Sequence, residues 1–442
     1  MQTLFIVAYI AFVVLLLVAA CFTLGWMLYA WRAPQTHRSL GFRASSSGSE
    51  LSFSLIVPAR HEEHVLAATL ERLTRTDYPD FEILVVVGDD DDGTLEIAKQ
   101  ARRDNPDRVR VVGDEGRERR KPKAVHAALQ ICRGDVVGVF DAEDDVHPAL
   151  VATVAKHFHA TRSDIVQGGV QLMDYRTRWF SPHNVLEYFF WFRSRLHFHA
   201  DYGFVPLGGN TVFVNRQLLL EAGGWDENCL AEDCELGIRL SADGARISVC
   251  YDADLVTREE TPPTIRALVR QRTRWNQGFL QVLLKGHWRR LGASRQRHLA
   301  AMTLALPFFQ ALVGLFIPIS VLMILFVRVP LWLALLSFLP LIPTIGTVAI
   351  QLAGLNEFGR MYGPKARLRD YVGVSLTAMP YQLLLAFGAG RAVWRQLVGV
   401  KTWERTPHRG VHRSQGTDLI IDLTVDEASP VGTLSSSGSE RD

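Results

Sequence analysis

Hydrophobic positions along the chain fall into two patterns: long unbroken runs, and short runs separated by amphipathic stretches. Residues 3–31 contain no charged side chain. That exceeds the roughly 20 residues a helix needs to cross a bilayer, and it predicts a transmembrane helix within residues 1–33. The competing reading is a cleaved signal peptide, which calls for a basic start, a shorter apolar core and a small-residue cleavage site; the run has none of these. A second apolar block spans 299–355, broken only by Arg328, and a third covers 371–394. They predict membrane helices within 298–396, with the middle block making two crossings around a turn near Arg328, because exposed irregular backbone is not tolerated in lipid. Pro380, Gly388 and Gly390 interrupt the last run and Arg391 stands near its end, which predicts a broken or interfacial helix that does not span.

The other pattern fills residues 52–290. Apolar runs at 52–58, 81–87, 108–112 and 135–140 alternate with helical segments at 62–75, 94–104 and 121–132. Continuous apolar strands separated by helices predict an α/β domain with a parallel sheet covered on both faces. In such a sheet, ligands sit beyond the carboxyl ends of the strands. Residues 34–51 contain the run Ser45, Ser46, Ser47, Gly48, Ser49 and read as a linker, and 411–442 reads as a disordered polar tail.

Charge adds an orientation. The chain of 442 residues has a formal net charge of +2, so bulk charge implies no nucleic-acid partner. Basic residues instead flank the globular region, with Arg32, Arg38 and Arg43 before it and Arg289, Arg290, Arg295 and Arg297 after it. By the positive-inside rule, the domain is cytoplasmic on an integral protein of the plasma (inner) membrane. The five cysteines show no C-x-x-C spacing and suit free thiols.

Candidate chemistry gathers at the predicted strand ends. After the fourth strand, Asp141, Glu143, Asp144 and Asp145 stand together. Two carboxylates about 4 Å apart repel by about 4 kcal/mol at an effective dielectric near ~20, so the loop calls for a counter-charge. Asp91, Asp92, Asp144 and Asp145 could equally be helix caps or first-turn residues. His61 and His64 are three apart, one short of the spacing that puts two zinc ligands on a helix face. Gly208 and Gly209 precede a short strand, where missing side chains let backbone approach a ligand. Glu232 and Asp233 open an amphipathic helix, where capping is the plain alternative for Asp233. Gln271, Arg274 and Trp275 fall at i, i+3 and i+4, so an amide, a guanidinium and a flat ring share one helix face.

Taken in order, these pieces resemble the membrane-embedded inverting glycosyltransferases of family 2, relatives of cellulose and hyaluronan synthases. They are a Pro58-x-x-x-Glu62 loop, acids after the second strand, a lysine-rich helix start at 121–129, a D-x-D-like Asp141-Ala142-Glu143, Gly208-Gly209-Asn210, Ala231-Glu232-Asp233 for T-E-D, and Gln271-x-x-Arg274-Trp275. The likeness covers about residues 52–286 and the membrane block. It implies a GT-A domain, a Rossmann-like nucleotide-diphospho-sugar transferase fold, with transmembrane helices. It also implies Mg2+ or Mn2+ on Asp141 and Glu143, Asp89 or Asp90 on the uracil, and Pro58, Glu62 and Lys123 at the nucleotide. Asp233 would be the general base; Gly208, Gly209 and Glu232 would line the acceptor cleft; Gln271, Arg274 and Trp275 would close over diphosphate and acceptor. Glu143 and Ala231 depart from the family pattern, as do His61 and His126, where the family has Asn. Residues 397–410 resemble a Trp-x-Lys/Arg-Thr-x-His element of such transferases, which a non-spanning last helix would let reach the cleft.

The resemblance implies transfer of a hexose or N-acetylhexosamine from a UDP-sugar to a growing polysaccharide or lipid-linked glycan at the cytoplasmic face of the bilayer, with inversion. Single addition to a lipid and a non-catalytic membrane scaffold are the alternatives. Retention of Asp141, Asp233 and the Gln-x-x-Arg-Trp triplet speaks against the scaffold.

Overall fold

The computed structural model describes residues 2–32, 51–88, 92–113, 120–326, 330–363, 365–400, 402–404 and 409–415. The linker at 34–50, Asp89, Asp90, Asp91 and the tail beyond 415 lie outside the described residues. An apolar helix α1 (Gln2–Leu28) leads to strand β1 (Phe53–Ala59), α2 (Leu66–Thr74), β2 (Phe81–Val87), α3 (Thr94–Asp104), β3 (Val109–Gly113), α4 (Lys121–Leu129) and β4 (Val136–Val139). These four strands are parallel neighbours in the order β3-β2-β1-β4. Along β1, Leu55 and Val57 face a core shared with α2, while Ile56 faces a second core built with α4. Alternate residues thus bury on opposite faces, which is why the strand reads as one continuous apolar run.

Beyond β4 the chain is less regular. It forms α5 (Leu150–Thr161), β5 (Ile165–Gly168), β6 (Val170–Leu172), α6 (Ser181–Phe190), a π-helical stretch Trp191–Arg195, and α7 (Leu196–Asp201). Then come β7 (Val212–Asn215), α8 (Arg216–Glu221), α9 (Glu232–Ala242), β8 (Ile247–Cys250), β9 (Thr257–Glu259) and α10 (Ile265–Lys285). Strand β7 enters antiparallel between β4 and β5, and β8 closes the edge parallel to β5, so the sheet is mixed rather than all parallel. Strands β6 and β9 make a separate parallel pair. The sheet grows outward on both sides of the β1–β4 boundary, the kind of switch point at which ligands bind. Helix α10 starts with the Thr264 side chain accepting from Ala267 N at 3.1 Å and ends at Gly286 with φ of 77°, a left-handed cap that glycine adopts without strain.

Four helices follow: α11 (Ser294–Phe326), α12 (Leu331–Ser337), α13 (Leu341–Tyr362) and α14 (Leu368–Leu397). The middle apolar block forms α11, α12 and α13, with Arg328 outside the described residues, and α13 packs alongside α1. Both helices end on the α/β domain: Arg195 stacks 3.9 Å from the Trp26 ring, Glu357 pairs with Arg193 at 2.7 Å, and the Tyr362 and Tyr251 hydroxyls meet at 3.0 Å.

The last helix is unbroken through Pro380, contrary to the break that its Pro and Gly content suggests. Contact with the α/β domain runs its full length. Arg176 pairs with Asp370 at 2.8 Å, His183 meets Thr377 at 2.8 Å, and Tyr381 stacks on His183 at 4.7 Å and donates to Glu187 at 2.6 Å. Further on, Thr273 donates to Gly388 O at 3.3 Å and Arg395 to Gln277 at 3.1 Å. The opposite face exposes Leu368, Val372, Leu376, Met379, Leu383, Phe387, Trp394 and Leu397, a stripe at helical spacing.

Candidate active site

The acidic loop is held by its own backbone and by buried partners. Asp144 accepts from Asp141 N at 2.8 Å and from Asn210 Nδ2 at 3.1 Å, and Asn210 also donates to Glu259. Asp145 exchanges backbone hydrogen bonds of 3.1 and 3.0 Å with Arg258, and its carboxylate pairs with Arg72 at 3.1 Å. Asp144 and Asp145 are therefore internal struts rather than helix caps. Asp92, two residues before Thr94, accepts from the Thr94 N–H at 3.1 Å at the start of α3. Burial raises the Asp144 pKa, and the charges of Glu259, Asp141 and Glu143 add to the rise.

Asp141, at the end of β4, faces Lys121. Pro122 at the start of α4 sets that helix in motion immediately after Lys121, whose ammonium donates to Asp141 and, at 2.7 Å, to Gly209 O. A Cβ at Gly209 would lie 3.1 Å from Asp233 Oδ2 and 3.5 Å from Lys121 Nζ, so the missing side chain lets carboxylate and ammonium approach the same backbone turn. Gly208 N donates to Gln167 Oε1 at 2.8 Å, which fixes that turn. Burial alone would lower the Lys121 pKa; Asp141, Glu232 and Asp233 outweigh it, and the lysine is held charged above its ordinary value.

Glu232 and Asp233 form the first turn of α9, as their sequence position predicts. Asp233 Oδ1 accepts from Cys234 N at 2.7 Å. Burial, followed by the neighbouring Asp233 charge, raises Glu232 to about 8. Burial also raises Asp233, against the pull of Lys121 and Arg274. Two adjacent carboxyls that burial raises, beside a cation, make a proton-accepting site. Lys121, Gly209, Trp225, Glu232 and Asp233 line one cleft.

On α10, Trp275 stands 6.2 Å from the Tyr188 ring and 4.6 Å from the Arg272 guanidinium. Gln271 Oε1 and Arg274 Nε are buried with no partner among the described residues, a mark of donors and acceptors left for a ligand. Arg274 stacks 4.4 Å from the Trp403 ring, and Glu404 is held by Arg391 at 2.7 and 2.6 Å. The segment after the last helix thus reaches the Gln-x-x-Arg-Trp face; its residues 405–408 lie outside the described ones.

Pro58 lies in β1, and Glu62 follows it with its N–H bonded to Thr94 Oγ1 at 2.8 Å. Between them, His61 has φ of 54°, the left-handed region that Asn tolerates and His also visits, which gives the exchange a backbone reason. His126 instead abuts Gly224, where a Cβ would lie 2.7 Å from its Nδ1. Lys123 is half-buried on α4, and the lysine at the centre of the cleft is Lys121, which the motif reading passed over.

Among the described residues no three His, Cys, Asp or Glu side chains gather to hold a metal ion. A magnesium-type cation fits such a site nonetheless, because it is held by one or two carboxylates and completes its octahedron with substrate phosphates and water. Asp141 and Glu143 would be the hard oxygen donors at the strand end, and the orphaned Arg274 Nε is a donor that suits the anion that would accompany the ion.

The family described as glycosyltransferase like family 2 matches residues 51–278, more than half of the chain. The chain belongs to that family. Relatives of this glycosyltransferase include the beta-monoglucosyldiacylglycerol synthase of Synechocystis sp. (strain ATCC 27184 / PCC 6803 / Kazusa), 30% identical over 241 residues covering 53% of this chain and 49% of that one. The probable glycosyltransferase YdaM of Bacillus subtilis (strain 168) is 28% identical over 241 residues, 52% of this chain and 56% of that one. The chain thus spans about half the length of the curated relatives it matches. Among solved structures, the mannosyltransferase PcManGT from Pyrobaculum calidifontis, in complex with GDP-Man and Mn2+, covers 88% of this chain and 99% of its own with a TM-score of 0.54 and 19% identity. That likeness concerns the fold, which is GT-A.

Proposed function

We propose that this glycosyltransferase moves a hexose or N-acetylhexosamine from a UDP-sugar to the hydroxyl of a membrane lipid acceptor at the cytoplasmic face of the plasma (inner) membrane, with inversion. One observation carries the reading: Asp233 sits across Gly209 from Lys121 and Asp141, so a proton acceptor and a diphosphate-binding rim share one cleft. In the single displacement, the acceptor oxygen forms a bond to the anomeric carbon as the bond to the diphosphate oxygen breaks, and Asp233 takes the hydroxyl proton. Lys121 and Arg274 bring positive charge to the departing diphosphate, and Trp275 offers a flat face to the acceptor. Magnesium or manganese on Asp141, with Glu143, would supply further charge neutralisation there. Pro58, Glu62 and Lys123 would complete the nucleotide rim, with Asp89 and Asp90, which lie outside the described residues, expected at the uracil.

The lipid acceptor follows from the helices. Among the described residues, α1 and α14 are long and apolar enough to cross a membrane. Helix α14, however, is tied to the α/β domain from Asp370 to Arg395, which supports its lying in the interface with its apolar stripe in lipid. Such an arrangement would bring acceptor headgroups to the cleft rim, and the named activity of the Synechocystis relative supports a lipid acceptor. The Gln271-x-x-Arg274-Trp275 face favours a second reading, repeated addition to a growing glycan. Incubating membranes that contain the full chain with radiolabelled UDP-sugars tests both. Label in the organic phase as a single-sugar lipid is the expected result, long aqueous product supports the second reading, and no transfer from any sugar nucleotide rejects both.

A further inference from the structure

The segment at 409–415 lies some 270 residues from the acidic loop in sequence, yet it hydrogen-bonds to that loop. Glu260, next to β9, accepts from the backbone N–H of Arg409 and, at 2.7 Å, of Val411, which fixes the segment's course. His412 is buried at 2% exposure. Arg413 then reaches between α2 and the loop. One of its terminal nitrogens donates to Val65 O at 2.9 Å; the other donates to Thr69 Oγ1, to Glu143 O at 3.1 Å and to Asp144 O at 3.4 Å. Thr69 in turn donates to Ala142 O at 2.6 Å. Three successive carbonyls of the loop, 142 to 144, are thereby pinned.

We propose that Arg413 is a positioning residue for the donor site: its guanidinium fixes the backbone of the Asp141–Glu143 loop, so the loop presents its carboxylates correctly only when the C-terminal segment is docked. The fork geometry matters, because a planar guanidinium can serve several carbonyls at once where an ammonium serves them singly. Before the residues 405–408 that lie outside the described ones, Trp403 stacks on Arg274 and Glu404 pairs with Arg391 and Arg395. The inference rests on the donor reading above, and the test separates the two.

The experiment uses the full chain in detergent or nanodiscs, with Mn2+ and UDP or GDP as probes, and reads free Mn2+ by electron paramagnetic resonance. Arg413→Ala is expected to weaken Mn2+ binding in the presence of nucleotide by about tenfold, with turnover at saturating Mn2+ and donor falling less than about threefold. Arg413→Lys should fall between, and added methylguanidinium should restore binding to the alanine variant. Unchanged Mn2+ and nucleotide affinity in a folded Arg413→Ala protein overturns the inference. Should that variant not fold, Glu260→Gln, which loosens the segment, takes its place: a shift in the same direction supports the role and none overturns it. A wild-type protein that binds neither nucleotide with Mn2+ overturns the donor reading, and the positioning role with it.

Discussion

In the loop at 141–145, Asp141 pairs with Lys121, Asp145 pairs with Arg72, and Asp144 accepts from Asn210 and the Asp141 amide. Near Gly209, the adjacent acids Glu232 and Asp233 have no ion pair among the described residues; backbone amides, that of Cys234 included, and charge at a distance from Lys121 and Arg274 face them. The difference separates architecture from chemistry. Matched acids hold a loop in shape and present a surface to the donor, whereas an under-compensated pair is kept ready to accept a proton.

The strongest way to break this contrast is to remove the cation both clusters share. Lys121→Met leaves Asp141, Glu232 and Asp233 without it, and transfer is expected to fall by about 10^2–10^3-fold, with donor affinity falling too, since stripping one partner from a buried charge group costs about 3–5 kcal/mol. Steady-state kinetics with the UDP-sugar varied check both. On the architectural side, Asn210→Ala sets Asp144 against Glu259 with no donor between them and is expected to destabilise the domain by about 1–3 kcal/mol, read by denaturant unfolding.

Glu232→Gln sharpens the contrast through pH. Burial and the Asp233 charge raise Glu232 to about 8, so the wild-type pair holds a proton at neutral pH and activity climbs as pH rises through that region. Removing one of the two carboxyls takes away the like charge, and the rising limb moves to lower pH while peak activity changes a few-fold. Because this pKa is raised on folding, its contribution to stability is complete below the ordinary value of 4.5 and is lost as pH climbs through about 8. Thermal midpoints across that window should decline in wild type and flatten in the variant. The smallest effect belongs to Arg391→Ala, which removes a half-exposed partner of Glu404 while Arg395 remains at 3.4 Å; less than about 1 kcal/mol of stability should be lost.

The first four strands were legible because each is an apolar run buried on both faces, and the helices between them begin close to where the polar residues predict. The other half was not. Strands β5 to β9 are three or four residues long, too short to show a period, and an antiparallel β7 leaves no mark in a sequence of continuous apolar runs. The stretch at 181–201, with its π turn, has no simple spacing to read. At the site, Asp141, Gly209 and Asp233 stood out because unusual residues close a strand, a turn and a helix start. Lys121 did not, because Lys121-Pro122-Lys123 offers two lysines and only the helix direction decides which one enters the cleft. Arg413 and Glu260 were beyond reach, since contacts across 149 to 348 residues leave no local trace.

The most direct test compares Asp233→Asn with Asp141→Asn in the same full-length preparations, measuring nucleotide affinity by calorimetry and sugar transfer by product formation. The account predicts a crossed result. Asp233→Asn keeps UDP affinity within about threefold and loses about 10^2–10^4-fold in turnover, while Asp141→Asn loses nucleotide affinity itself. Near wild-type turnover in Asp233→Asn, or equal loss of affinity in both variants, would contradict it.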